Sequence, residues 1–178
     1  MSGDPLIRLA RPEEFEAIDT LIRAAYTHDY GEKGHATDPM QFAASRAERY
    51  DVWVAEDASG VLLGSVTTRR IGVPPLHEDV RADELDLRLL GVAPEARRRG
   101  IAAALMRHVM TSARADGWHT VFLKTGPGMT GAHGLYEHLG FVRAPERDGL
   151  WIGGAKVLDL FTYVYPLLED PGAERLAS

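Results

Sequence analysis

The sequence predicts one mixed α/β domain. Runs of β-branched and aromatic residues alternate with segments of helical periodicity from Leu6 to Pro166, the pattern of a sheet covered by helices. A length of 178 residues fits a single domain. A domain of roughly 150 residues hides about two thirds of its unfolded surface, so a sizeable core is within reach. With 45% apolar and 26% charged residues, the composition is that of an ordinary folded domain.

Each element has its own signal. Leu6–Leu9 reads as a short strand. Pro12 stands in the first turn of a helix whose Glu13, Glu14 and Glu16 suit the positive end of the dipole. Phe15, Ile18, Leu21, Ile22 and Ala25 recur at its helical spacing. A polar loop is expected from Thr27 to Thr37, after which Asp38 caps a second helix with Pro39 at its first position, running to Arg49. Val52–Ala55 and Val61–Thr68 pair as a hairpin across the turn Asp57–Gly60. Ile71–Asp83, with Pro74 and Pro75, is a loop, and Leu85–Val92 is a strand. Gly100–Ala115 is a helix with Ile101, Leu105, Met106 and Val109 on one stripe, and Thr120–Thr125 is a further strand. Ala132–Leu139 is a short helix stopped by Gly140, and Phe141–Arg143 and Leu158–Tyr165 are closing strands. Residues 1–168 are assigned to the domain and 169–178, with Pro171 and Gly172, to a flexible tail.

Composition excludes several functions. Twenty basic and 26 acidic residues give a net charge of −6, which argues against nucleic acid as a bulk partner. No cysteine is present, so thiol nucleophiles, Cys-ligated zinc and iron–sulfur clusters are ruled out. His28, Asp29 and His35 match no tight metal spacing, and no metal is expected. No run approaches the ~18 apolar residues of a membrane span and no signal segment is visible, so a cytoplasmic protein without membrane partners is expected. Scarce lysine against abundant arginine and alanine suggests a GC-rich bacterial source.

The informative stretch is Leu87–Ala102: a strand, a Pro-marked turn, Arg97-Arg98-Arg99, Gly100, then an Ala-rich helix start. A helix N-terminus offers unpaired N–H groups and a positive dipole to a phosphate. Gly100 and Ala102 keep side chains out of its way. A solvated basic turn is the plainer reading of three arginines. A rival lies at Gly126-x-Gly128-x-x-Gly131, which spells a dinucleotide-binding fingerprint and so an NAD(P)-dependent oxidoreductase. It is set aside because the following helix is short, Pro127 removes an N–H donor, and too little chain remains to complete a doubly wound sheet. No Gly-Lys-Ser/Thr follows any glycine loop, so a P-loop is excluded.

Arg97-Arg98-Arg99-Gly100-Ile101-Ala102 resembles the Arg/Gln-x-x-Gly-x-Gly/Ala motif of the GCN5-related N-acetyltransferases. Ala132-His133-Gly134-Leu135-Tyr136-Glu137-His138-Leu139-Gly140-Phe141 is similar to the Ala-x-x-Leu-Tyr-x-x-x-Gly-Phe stretch of the same family. Met129 and the run Arg143–Asp148 also resemble a bacterial branch of it. The resemblance implies a mixed, twisted sheet of about seven strands flanked by about four helices. It implies acetyl transfer from acetyl-CoA to a primary amine in a ternary complex, with no metal. Leu90, Gly91 and Val92 would then pair with the pantetheine arm, and Arg97, Arg98, Arg99, Gly100, Ile101 and Ala102 would wrap the pyrophosphate. Ala132 would join the cofactor contacts. Tyr136 matches the tyrosine near the thioester sulfur and is the candidate general acid. Asp86, six residues before Val92, is the candidate base, and Glu84, on the same strand face, shares that candidacy.

Plainer readings stand beside these. Tyr136 is equally a core tyrosine of a short amphipathic helix, and Asp86 a solvent-facing residue of the Leu85/Leu87/Leu89 alternation. Many relatives carry Asn where Met129 stands, which withdraws one side-chain bond to pantetheine. The loops 27–37, 71–83 and 126–131 are expected to shape the acceptor site. Asp29, Glu32, Glu78, Asp79, Asp83 and Glu84 outnumber Lys33 and Arg81 there, which favours a cationic small amine or a basic peptide end. A homodimer is allowed. The alternative function is a non-catalytic acyl-CoA-binding sensor.

Overall fold

The computed structural model describes residues 3–30 and 39–167. Helix α1 (Phe15–Tyr30) is led in by a 3-10 turn at Pro12–Glu14, where the fixed φ of proline and the Glu14 carboxylate on the Arg11 N–H start the chain turning. It buries Ile18, Leu21, Ile22 and Ala25. The helix runs three residues beyond the expected loop start at Thr27, because no glycine or proline stands before Gly31 to stop it. The rest of that expected loop, and the tail 169–178, lie outside the described residues.

The expected helix from Asp38 to Arg49 is replaced by two pieces. A 3-10 turn at Pro39–Gln41 is followed by an extended Phe42 and then α2 (Ala43–Ala47). The first N–H of α2 is taken by the Asp19 side chain of α1, 2.7 Å from Ala43 N, so the cap comes from tertiary structure. Asp38, the predicted cap, lies outside the described residues.

Contacts divide the chain into two compact units, residues 1–74 with 87–109 and residues 75–86 with 110–178. In the first, β1 (Leu6–Leu9), β2 (Asp51–Glu56), β3 (Leu62–Thr68) and the Leu87–Val92 part of β4 (Glu84–Val92) form antiparallel ladders. Helix α3 (Ile101–Ala115) supplies Ile101, Leu105 and Met106 to its core. In the second, Glu84–Asp86 run parallel to β5 (Thr120–Thr125), which pairs antiparallel with β9 (Phe161–Pro166), and β9 pairs with β6 (Val142–Arg143). Helix α4 (Thr130–His138) follows β5. Ladder by ladder, the order is β1-β2-β3-β4-β5-β9-β6. This seven-stranded mixed sheet, with four α-helices among the described residues, is the architecture that the resemblance implied.

One sequence reading is corrected in the second unit. The strand expected at Leu158–Tyr165 is split at Asp159–Leu160, because a separate hairpin, β7 (Leu150–Ile152) and β8 (Ala155–Leu158), precedes β9. Its turn is Gly153-Gly154 with φ of 60° and 79°, a two-residue signal that the reading overlooked. The stretch Gly126–Gly131 is not a dinucleotide loop. The strand that pairs with β5 on its far side is antiparallel β9, so no βαβ unit follows the glycines.

Arg8 ties β1 to its surroundings. Its guanidinium donates to both Glu14 carboxylate oxygens at 2.8 Å and to both Glu56 oxygens at 3.1 and 3.0 Å. The Arg8 bonds hold the Glu14 pKa down to about 2, from 4.5, against the opposing effect of burial. A carboxyl depressed in the folded state contributes stability that is complete above 4.5 and is lost as pH falls toward 2. Urea melts should therefore show the wild type losing more stability than Glu14→Gln between pH 5 and pH 2.5. Equal losses would remove Glu14 from the acid response.

Candidate functional site

In the first unit, β4 carries a bulge. Ser65 pairs with Gly91 and Thr67 with Arg88, so two steps on β3 match three on β4. The extra residue is absorbed with Leu89 at φ 56°, a left-handed conformation that costs a non-glycine residue of order 1–3 kcal/mol. Pairing with β5 covers only Glu84–Asp86. Among the described residues no strand joins the other edge of Leu90–Val92. Gly91 has a packing reason of its own, because a Cβ there would sit 2.8 Å from Ile22 Cδ1 of α1.

After β4 comes a 3-10 turn at Pro94–Ala96, then an extended Arg97, Arg98 at φ 61° and Gly100 at φ 73°. The Gly100 carbonyl accepts the Ala104 N–H at 3.0 Å, so Gly100 opens α3, and the N–H groups of the first turn have no partner within the helix. A Cβ added to Gly100 would meet nothing within 4 Å, so the approach to those N–H groups is open. The three arginines are not equivalent. Arg97 is half-buried and donates to Ala25 O at 3.4 Å. Arg98 is exposed on the turn. Arg99 lines an open pocket of about 690 Å³ together with Glu56, Asp57 and Ser59. The donor set fits a pyrophosphate: free amide N–H groups, the positive end of a 15-residue helix and adjacent guanidinium groups.

In the second unit, the two candidate bases differ sharply. Glu84 accepts from both terminal nitrogens of Arg147 at 2.7 Å and from the Arg81 N–H at 2.8 Å. Burial pushes its pKa up, but the Arg147 and Arg81 bonds outweigh that, and the net shift is downward. A carboxylate held in this way is a poor proton acceptor. Asp86 is fully buried, which corrects the solvent-facing reading. Residues of the preceding loop cover it: its Oδ2 accepts the His77 backbone N–H at 2.7 Å and lies 3.0 Å from His77 Nδ1. Its Oδ1 is buried without a hydrogen-bond partner. Sequence reasoning missed His77. A lone histidine in a proline-bearing loop has no spacing relation to a strand acid, and the pair exists only because the chain folds back.

Tyr136 is buried on α4, between the rings of Phe141 and Tyr163 at 5.9 and 5.8 Å. Ala132 precedes it by one turn on the same face. The Met129 sulfur lies 3.5 Å from Thr125 Oγ1, so that side chain folds back against the end of β5.

Three of the four acids expected to line an acceptor site whose side chains are described are engaged. Glu78 accepts the Gly153 and Gly154 N–H groups, Asp79 pairs with Lys124 at 3.0 Å, and Glu84 is held by Arg147. Asp83 and Arg81 are exposed. Glu32 and Lys33, and the side chain of Asp29, lie outside the described residues. The structure thus gathers Leu90–Val92 and Arg97–Ala102 in one unit, and Glu84, Asp86, Ala132 and Tyr136 in the other.

Residues 15–141 match the acetyltransferase (GNAT) family. Over 123 residues the chain is 35% identical to mouse N-acetyltransferase 8, covering 69% of this chain and 51% of that protein. The chain spans about half the length of such curated relatives. Its fold superimposes on a GNAT-family acetyltransferase from Staphylococcus aureus Mu50 with a TM-score of 0.73 at 15% identity, over 92% of this chain and 99% of that one. It also superimposes on yncA, a putative acetyltransferase from Salmonella typhimurium solved with its cofactor acetyl-CoA, with a TM-score of 0.64 at 20% identity, over 94% and 96%.

Proposed function

The chain belongs to the acetyltransferase (GNAT) family, and from that premise we propose that it transfers an acetyl group from acetyl-CoA to a primary amine by direct attack, with both substrates bound. The observation that carries this reading is the open helix start at Gly100, placed directly after a bulged strand whose far edge no strand occupies among the described residues. Leu90, Gly91 and Val92 offer backbone groups to an extended pantetheine arm. Arg97 to Ala102 receive the pyrophosphate, with Arg98 exposed on the turn and Arg99 beside Glu56 and Asp57. Acetyl-CoA supplies an acetyl group already activated as a thioester, so the protein needs neither a metal nor a covalent intermediate.

The remaining tasks are proton transfers. An alkylammonium, with pKa near ~10.4, must lose a proton before it attacks. Glu84 is committed to Arg147, so the carboxylate that supports this step is Asp86. Tyr136 supplies the proton for the departing thiolate, and its place in an aromatic cluster fixes the direction of its phenol. The acceptor is a primary amine on a small molecule or peptide. A preference for cationic acceptors now rests on Asp83 and on residues outside the described structure, since Glu78, Asp79 and Glu84 are used internally.

A coenzyme A release screen over amines and peptides tests the activity. With an active acceptor in hand, Tyr136→Phe is expected to lower kcat by about 10²-fold while the KM for acetyl-CoA changes less than ~3-fold. A KM effect with kcat intact would return Tyr136 to the core. A wild type that is stabilised thermally by acetyl-CoA yet releases no coenzyme A with any amine would establish the sensor instead.

A further inference from the structure

We propose that His77 is the group that takes the proton from the acceptor amine, and that Asp86 is its positioning residue. The inference rests on the acetyl-transfer reading above and gives the base role to a residue that the sequence did not reveal. Asp86 has no exposed surface and its Oδ2 already receives two donors from His77, so an acceptor amine does not reach it directly. His77 lies against it and keeps 7% of its side chain exposed. An ionised carboxylate only accepts, so the hydrogen in the 3.0 Å contact belongs to His77 Nδ1. In the neutral ring, that tautomer leaves the Nε2 lone pair free to accept a proton. The backbone N–H of the same residue, 2.7 Å from the same oxygen, fixes the ring's origin as well as its tilt.

The surroundings keep the ring in place. On β4, Asp86 faces it, while Glu84 is neutralised by Arg147. On β5, the Phe122 ring lies 6.1 Å away, with the Arg147 guanidinium 4.4 Å and Lys124 Nζ 5.1 Å from that same ring. On its own loop, Glu78 binds the Gly153 and Gly154 amides and Asp79 pairs with Lys124. Asp86 is therefore the one acid in direct contact with the imidazole that carries no ion pair to a lysine or arginine among the described residues. In the step, Nε2 takes one proton from the ammonium. The freed nitrogen pair forms the C–N bond as the C–S bond breaks, and the thiolate takes the proton of Tyr136. The second amine proton leaves to solvent.

A plain strap, pinning the loop to β4, would use the same contacts, and His77→Asn separates the two. The asparagine amide can donate to Asp86 in place of Nδ1, but nothing replaces Nε2. The expected result is an unchanged melting temperature and acetyl-CoA KM, with kcat down about 10²-fold or more near neutral pH. The variant's rate should then climb roughly tenfold per pH unit as free amine accumulates, while the wild type levels off earlier. A folded His77→Asn with wild-type kcat and pH profile overturns the base role and leaves the acetyl-transfer reading standing. Nitrogen chemical shifts of His77 in the wild type give a check independent of any variant's folding, and a neutral ring with its hydrogen on Nε2 overturns the proposal. A wild type that binds acetyl-CoA and acetylates nothing overturns the transfer reading, and the base role with it.

Discussion

Gly100→Glu should abolish acetyl-CoA binding: the thermal stabilisation given by saturating acetyl-CoA should vanish, and any residual KM should rise at least ~100-fold. Two effects act together. Gly100 holds φ 73°, which costs a side chain of order 1–2 kcal/mol. The new carboxylate would also stand at the positive end of α3, satisfying the N–H groups proposed to receive the pyrophosphate and repelling its charge. Nothing lies within 4 Å of a Cβ at this position, so the fold has room for the change. The unliganded melting temperature should therefore fall by only about 2–8 °C, since 1 kcal/mol shifts a chain of this size by about 2–4 °C. Gly100→Ala carries the backbone strain without the charge, and it should bind more weakly than wild type but measurably. If Gly100→Glu keeps tight binding, the pyrophosphate does not sit at this helix start.

Arg147→Met is expected to cost about 3–5 kcal/mol of stability at pH 7, or about 6–20 °C in melting temperature. The Glu84 side chain is only 4% exposed, and it would lose two bonds of 2.7 Å while remaining ionised. Arg147 also covers the Phe122 ring, and methionine preserves much of that apolar contact. The loss should depend on pH with a definite sign. In the wild type the bonded Glu84 has a lowered pKa, so its contribution is present above the unfolded value of 4.5 and fades as pH falls below it. In the variant burial is opposed only by Arg81 and favours the protonated acid more than in the wild type, so the deficit against wild type should shrink between pH 7 and pH 4. Thermal melts at the two pH values measure this. A variant within about 1 °C of wild type at pH 7 would show the pair to be worth nothing.

What the sequence disclosed and what it withheld follow a physical division. Arg97–Ala102 and Ala132–Phe141 are legible because their geometry is local. A turn, a glycine able to take φ 73° and the first turn of a helix are set by adjacent residues. The core stripes of α1 and α3 are legible for the same reason. The residues of the proposed acid–base chemistry are not local. His77 meets Asp86 because a loop folds back over β4, and Arg147 meets Glu84 across 63 positions of chain. No spacing rule encodes either pair, and so the sequence leaves Glu84 as a second candidate beside Asp86. The start of α2 misled for a related reason, since its first N–H is satisfied by Asp19 from another helix.

Leu89 has a consequence for how this strand tolerates change in length. Side chains along a strand alternate faces with a period of two, so a single extra residue inverts the phase of everything after it. The left-handed Leu89 is that extra residue, and it works on β4 as an inserted letter works on a reading frame. Glu84 and Asp86 are read in one frame, and Leu90 to Val92 in the next. Loss of one residue anywhere between Arg88 and Gly91 would leave a strand of sound composition with its two halves in the wrong phase. Within β4, then, residue count is under tighter constraint than residue identity.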